Sequence, residues 1–187
     1  MLKEYLVHTS DRTVSSRTRR AYQSVIDAIA YDGQTIARAY GSGGFLPSTN
    51  ANPYDTFEDF LAAAKDAREG YGVVWVSDAN HNGAFLGSDS ANYRFRAHHD
   101  AVHALSGLGF DFLDECKVAV KTCETLHLDR DACAVIAGEV IGQGLYFGQV
   151  GGQFPLDERG KQPTFHVTES SVNWARKAFK TFANWEL

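Results

Sequence analysis

Long apolar runs are missing from this chain. No stretch approaches the length of a membrane-spanning helix, and residues 1–10 lack the hydrophobic segment of a signal peptide. Cysteine is scarce, and Cys116, Cys123 and Cys133 contain no CxxC pair, which indicates reduced thiols rather than a disulfide framework. An excess of positive charge is missing too, since the net charge is −5, so nucleic acid is not an expected partner. These absences predict a cytoplasmic protein without a membrane span.

The composition that is present suits a globular fold. The chain has 187 residues, of which 44% are hydrophobic and 12% aromatic, enough to fill the core of one domain, and a homo-oligomer is left open. A basic cluster near the N-terminus departs from the acidic average, and it consists of Arg12, Arg17, Arg19 and Arg20. Such a run typically forms a solvated helix face, which is the favoured interpretation, and a surface for a partner is the alternative.

Helical periodicity dominates the chain. Apolar residues recur at helical spacing over residues 15–40, 57–69, 91–105, 112–126, 132–150 and 169–185, with capping residues at their starts. The pattern predicts a mostly α fold, a helical bundle forming a single domain over 1–187. Within it we expect N-terminal helices and long connectors (1–90), a three-helix core (91–150), and a loop with the C-terminal helix (151–187).

The N-terminal half is predicted to be irregular. "FLPSTNANPYDT" (residues 45–56) contains two prolines and reads as a connector without regular structure. "YGVVWVSDA" (residues 71–79) is the best candidate for a short strand or half of a hairpin, although the sequence does not identify its partner.

The stretch "FRAHHDAVHALSGLGFDFLDE" (residues 95–115) concentrates polar residues that bind metals. His99 and His103 are four apart, so on a helix both imidazoles lie on one face and can share a divalent cation. Asp100 lies at the edge of the same surface, as a ligand or as a residue that orients an imidazole. His98 points about 100° away on a helix, and it would replace His99 only if the helix register differed.

The next two helices also direct polar side chains inward. Glu115 falls on an apolar helix face, and Glu139 falls on another with Gln143 and Tyr146 at +4 and +7. A buried carboxylate must be paired, protonated or bound to a metal, because an isolated buried charge is very costly. The sequence therefore predicts a divalent-metal site made by His99, Asp100, His103, Glu115 and Glu139, with a metal-free hydrogen-bonded network as the alternative.

The pattern His99-Asp100-x-x-His103, eleven residues and Glu115 resembles the HDxxH-x11-E metal motif of a helical coenzyme-Q biosynthesis family linked to ring decarboxylation. That resemblance implies that these four residues are metal ligands. The region also resembles an uncharacterised phage and bacterial helical domain, through "FRAHHD", "GLGF", Glu115 and "EVIGQ". Either resemblance covers only residues 91–150, and the second suggests a phage-encoded protein.

Three classes of function fit these residues. The first is a metal-dependent enzyme, hydrolytic or of the oxidative decarboxylase kind, with zinc as the first choice and manganese or iron as alternatives. In it Tyr146 and Gln143 would donate hydrogen bonds to an unidentified small-molecule substrate, and Arg94 or Arg96 would bind an anion unless they form surface salt bridges. The second class is a non-catalytic protein with a structural metal. The third is a metal-free interaction module that uses the arginine-rich helix or the Trp174 and Trp185 end.

A phosphohydrolase of the HD type is a weaker hypothesis. It needs an additional histidine before the His-Asp pair and an aspartate after it. Only His81, together with Asp129 or Asp131, could serve, and His81 lies in a stretch that reads as a turn.

Overall fold

The fold is mostly α-helical, as the periodicity predicts, in the computed structural model of the chain. The structure describes residues 1–9, 13–40, 44–49, 52–77, 89–156 and 163–187, and over 33–39 it describes the backbone alone. In chain order the elements are α1 (Leu2–Val7), α2 (Ser16–Tyr40), β1 (Phe45–Ser48), α3 (Phe57–Glu69), β2 (Val74–Ser77), α4 (Asp89–Ser106), α5 (Phe112–Thr125), α6 (Arg130–Ile136), a π-helical segment (Ala137–Gly142), α7 (Gln143–Gln149) and α8 (Glu169–Ala183).

The chain divides into two compact units. Unit 1 comprises Met1–Val25 and Asp111–Leu187, and unit 2 comprises Ile26–Phe110, so one boundary falls inside α2. Whether the units fold as one domain, as the sequence predicts, stays a prediction.

Side-chain caps begin the helices where the sequence predicts them. The Thr56 side chain accepts a hydrogen bond from the backbone N–H of Asp59 and so starts α3, while Asp111 accepts two such bonds at the start of α5. At the start of α6 the Asp129 side chain accepts a hydrogen bond from the backbone N–H of Ala132. Thr168 caps α8 in the same way. These caps satisfy backbone donors that have no partner inside the helix, and that is why short polar residues stand there.

The connector prediction for residues 45–56 is wrong at its first four residues. Phe45–Ser48 forms β1, which pairs in parallel with β2 and supplies the partner that the sequence does not identify. Among the described residues each strand has only the other as a neighbour, so Pro47 can lie in β1 without removing a hydrogen bond that an inner strand would need. β2 lies within the predicted strand segment, and its side chains alternate, with Val74 and Val76 buried and Trp75 exposed.

The helix predicted over residues 132–150 is interrupted. It begins as α6, widens into the π-helical segment and continues as α7. Aromatic rings pack directly against the backbone at two glycines of that segment. A Cβ at Gly138 would overlap the Phe165 ring, and one at Gly142 would overlap the ring of Tyr5. π-Helical turns inside α-helices are rare and frequently coincide with functional positions.

Each unit has its own core. In unit 1 the rings of Tyr5 and Phe165 stack with centroids 6.2 Å apart, and Trp174 lies 5.6 Å from Phe165. In unit 2, α3 packs on α4 and β2 through a cluster that includes Tyr40, Phe60 and Val74. The short helix α1, which the sequence analysis does not predict, supplies Tyr5 to the first of these cores.

Candidate metal site

The two histidines predicted from the helical spacing meet on α4. The Nε2 atoms of His99 and His103 are 3.0 Å apart, and their rings meet edge to face with centroids separated by 4.6 Å. His103 is fully buried and His99 is half-buried. Both histidines therefore direct the same ring nitrogen to one point on the helix surface, as a shared cation requires.

The backbone fixes which nitrogen of His103 carries its hydrogen. Nδ1 lies 2.9 Å from the carbonyl oxygen of Leu108, just beyond the end of α4. A carbonyl oxygen can only accept, so we assign the hydrogen to Nδ1, which leaves the Nε2 lone pair directed toward His99. The ring of Phe110 packs edge-on against His103 at 5.0 Å and holds it in place. Metal-binding histidines typically have this second hydrogen bond to a carbonyl or carboxylate.

A carboxylate completes a group that could hold a metal ion. His99, His103 and Glu115 each offer one ligand atom, and these three atoms all lie within 4.8 Å of one another. The three residues are close in sequence, with His99 and His103 on α4 and Glu115 on α5. Glu115 lies in the first turn of α5, where a negative charge is favoured by the helix dipole, and it is half-buried.

His98 is turned away from this group, as a step of one residue along a helix requires. It is buried, and its Nε2 lies 3.1 Å from a carboxylate oxygen of Asp32 without being aligned as a hydrogen bond. Burial outweighs the attraction of Asp32 and lowers the pKa of His98 to about 4, so its ring is neutral at pH 7. The three-residue group contains His99 and not His98, in agreement with the helix register predicted from the sequence.

Asp100 is not part of the three-residue group within the described chain. It is half-buried, and its charge adds to the rise in the pKa of Tyr54 and of Tyr93 that burial causes. Its assignment as a ligand or as an orienting residue stays a prediction.

Glu139 has partners of its own in unit 1. Its carboxyl group is buried in the π-helical segment, accepting a hydrogen bond of 2.8 Å from the Tyr22 hydroxyl and another from the Gln143 amide. The Tyr22 oxygen in turn accepts from the backbone N–H of Phe165 at 3.0 Å. Burial raises the pKa of Glu139 well above its ordinary value, although these hydrogen bonds oppose the rise.

The immediate surroundings of Glu139 are therefore a hydrogen-bonded network of the kind expected without a metal. The role of Glu139 as a metal ligand stays a prediction. Tyr22 could not be predicted as part of this network, because its helical position indicates only a core residue. Of the two predicted substrate-binding residues, Gln143 donates to Glu139, and Tyr146 is half-buried on α7. Arg96 donates to the Ser77 carbonyl oxygen at 2.8 Å.

Several residues proposed for the interaction-module and phosphohydrolase hypotheses form contacts that stabilise the fold. Arg17 of the basic cluster forms two hydrogen bonds to Asp131, of 2.6 and 2.7 Å, and an ion pair with Glu169. Asp129 caps α6, while His81, like Arg12, lies outside the described residues. Trp174 is buried and donates to the Met1 carbonyl oxygen, so it does not form an exposed surface.

Within the described ranges, no helix is long and apolar enough to cross a membrane. No protein-family model, curated protein or solved structure matches the chain.

Proposed function

We propose that the protein is a metal-dependent enzyme that binds a divalent ion through His99, His103 and Glu115. The observation that carries the proposal is the 3.0 Å approach of two imidazole Nε2 atoms with a backbone carbonyl fixing the far side of His103. Two histidines and one carboxylate form the ligand set of catalytic zinc sites and of non-haem iron sites.

Three protein ligands favour catalysis over a purely structural role. Structural zinc sites are closed by four protein ligands, whereas catalytic sites have three and leave one position for water or substrate. We propose zinc as the ion, with manganese or iron as the alternatives that metal analysis would distinguish. A zinc ion held by these three residues would lower the pKa of a bound water to about 7 and would so supply a nucleophile for hydrolysis.

The chain's own residues have definite roles in this proposal. Hydrogen bonding to Leu108 sets the tautomer of His103, and the carboxylate of Glu115 offsets the charge of the ion. We further propose, from the sequence pattern, that Asp100 orients His99 and that Gln143, Tyr146 and Glu139 contribute to substrate binding or to the ligand shell. The resemblance to the coenzyme-Q family motif supports a metal held by His99, His103 and Glu115 with Asp100 beside it. We also propose a cytoplasmic location.

Metal analysis tests the site directly. The wild type, His103→Ala and Glu115→Gln are purified, reconstituted with Zn²⁺, dialysed and analysed by inductively coupled plasma mass spectrometry. His127→Asn and Glu124→Gln are the matched controls, because both side chains are exposed and outside the group. We expect near-stoichiometric zinc in the wild type and the controls, with loss in both site variants. Absence of bound metal in the wild type, or its retention in both site variants, would refute the proposal.

Cobalt substitution then separates an open site from a closed one. Co²⁺ replaces Zn²⁺, and azide is added while the visible absorption is recorded. If a coordination position is open, azide should bind there and change the ligand-field bands. An unchanged spectrum would indicate a structural metal and would refute the enzyme hypothesis.

The histidine tautomers give a readout that does not depend on activity. Without metal, one of the two facing Nε2 atoms must carry a hydrogen, since two lone pairs at 3.0 Å repel each other. With metal, both Nε2 atoms must offer lone pairs. We expect ¹⁵N imidazole shifts to show this loss of the Nε2–H form when Zn²⁺ is added.

A further inference from the structure

Unit 2 contains a cavity of about 350 Å³ that has no role in the metal group. Its apolar lining comes from Leu61 and Ala64 of α3, Ala104 of α4 and the ring of Tyr40 at the end of α2. The two α3 residues are three apart and therefore lie on one helix face. The volume falls within the range of about 300–1,000 Å³ that is typical of small-molecule sites.

Two cations stand on the same face of α3. Lys65 and Arg68 follow Leu61 at +4 and +7, both are exposed, and both line the cavity together with Glu69. The guanidinium carbon of Arg68 lies 6.0 Å from the centroid of the Tyr40 ring, a cation–π distance. Within the described part of the chain, neither Lys65 nor Arg68 forms a hydrogen bond or an ion pair. The cavity thus combines apolar walls with a rim whose formal charge is positive.

We propose that this cavity binds a small organic carboxylate with an aromatic or aliphatic body. The apolar body would lie against Leu61, Ala64 and Ala104, and the carboxylate would lie between Lys65 and Arg68, which offer donors to an anion. Charge complementarity selects the carboxylate over a neutral ligand of the same shape. This site goes beyond the proposed metal-dependent function and does not rest on it.

The test uses the full chain and two probes with the same naphthalene body, the anionic 2-naphthoate and the neutral 2-naphthalenemethanol. Binding is followed by ¹H–¹⁵N NMR titration, which reports on the backbone amides of Ala64 and Ala104. We expect saturable binding of 2-naphthoate with shifts at these amides, and weaker binding of the alcohol. Arg68→Gln removes one exposed charge and is expected to weaken the binding of 2-naphthoate about two- to fivefold, as for other exposed ion pairs.

Three further variants make the result decisive. The double variant Lys65→Gln with Arg68→Gln changes only exposed positions, so it should fold normally and bind both probes equally. Lys121→Gln on α5 removes one exposed positive charge, as Arg68→Gln does, and this control should bind both probes like the wild type. Ala104→Leu fills the cavity from α4 and should weaken the binding of both probes more than tenfold. The proposal is overturned if 2-naphthoate does not saturate, if the alcohol binds as well to the wild type, or if the double variant keeps the preference for the carboxylate.

Discussion

Replacing Glu139 by glutamine should change how the stability of unit 1 depends on pH. The carboxyl group is buried with Tyr22 and Gln143 as hydrogen-bond partners, and burial raises its folded-state pKa well above the ordinary value of 4.5. Between pH 4.5 and the folded-state pKa, the folded protein keeps a proton that the unfolded chain has released. Stability therefore falls as pH rises through this window, with a slope of up to about 1.4 kcal/mol per pH unit from this one group.

Glutamine has nearly the same shape as the protonated acid and cannot ionise. The side-chain oxygen of the new glutamine can still accept a hydrogen bond from Tyr22. The Gln143 side-chain amide can rotate so that its carbonyl oxygen accepts a hydrogen bond from the new NH₂ group. Urea unfolding followed by tryptophan fluorescence at pH 5, 6 and 7 gives the free energy of unfolding of the wild type and the variant. We expect the free energy of unfolding of Glu139→Gln to increase relative to that of the wild type as pH rises. The control Glu124→Gln, on the exposed face of α5, should show no such increase. Parallel pH profiles for Glu139→Gln and the wild type would show that the buried group is ionised throughout, and would refute the reasoning.

Two further predictions concern the backbone of unit 1. Gly138→Ala places a Cβ against the Phe165 ring and should lower the free energy of unfolding by about 1–3 kcal/mol, measured by urea unfolding; Gly148→Ala, whose Cβ would meet nothing within 4 Å, is the control and should be neutral or stabilising by up to about 1 kcal/mol. Equal losses in both variants would contradict the packing argument. Asp129→Ala removes the cap that accepts from the N–H of Ala132 at 2.8 Å and should cost about 1 kcal/mol in the same assay, and an unchanged midpoint would show that water replaces the cap.

Local features of the fold follow directly from the sequence. The caps at Thr56, Asp111 and Thr168 are predictable because the hydrogen bond joins residues two or three positions apart. The helix ending at Gly70 is predictable for a similar reason: its φ of 83° favours glycine, which has no Cβ. The pairing of β1 with β2 is not predictable in this way, because 29 positions separate Phe45 from its partner Val74. Short strands have no local pattern that names a distant partner.

For the site, the sequence by itself determined that His99 and His103 share a helix face, since four residues make about one turn. It also determined that His98 points elsewhere. Only the tertiary structure decided that the Leu108 carbonyl sets the tautomer of His103, because that contact depends on how the chain turns after α4. The same holds for Tyr22 and Glu139, which are 117 positions apart and meet only when α2 packs against the π-helical segment. Helical periodicity fixes directions along one element, whereas partners across elements depend on packing that no short pattern encodes.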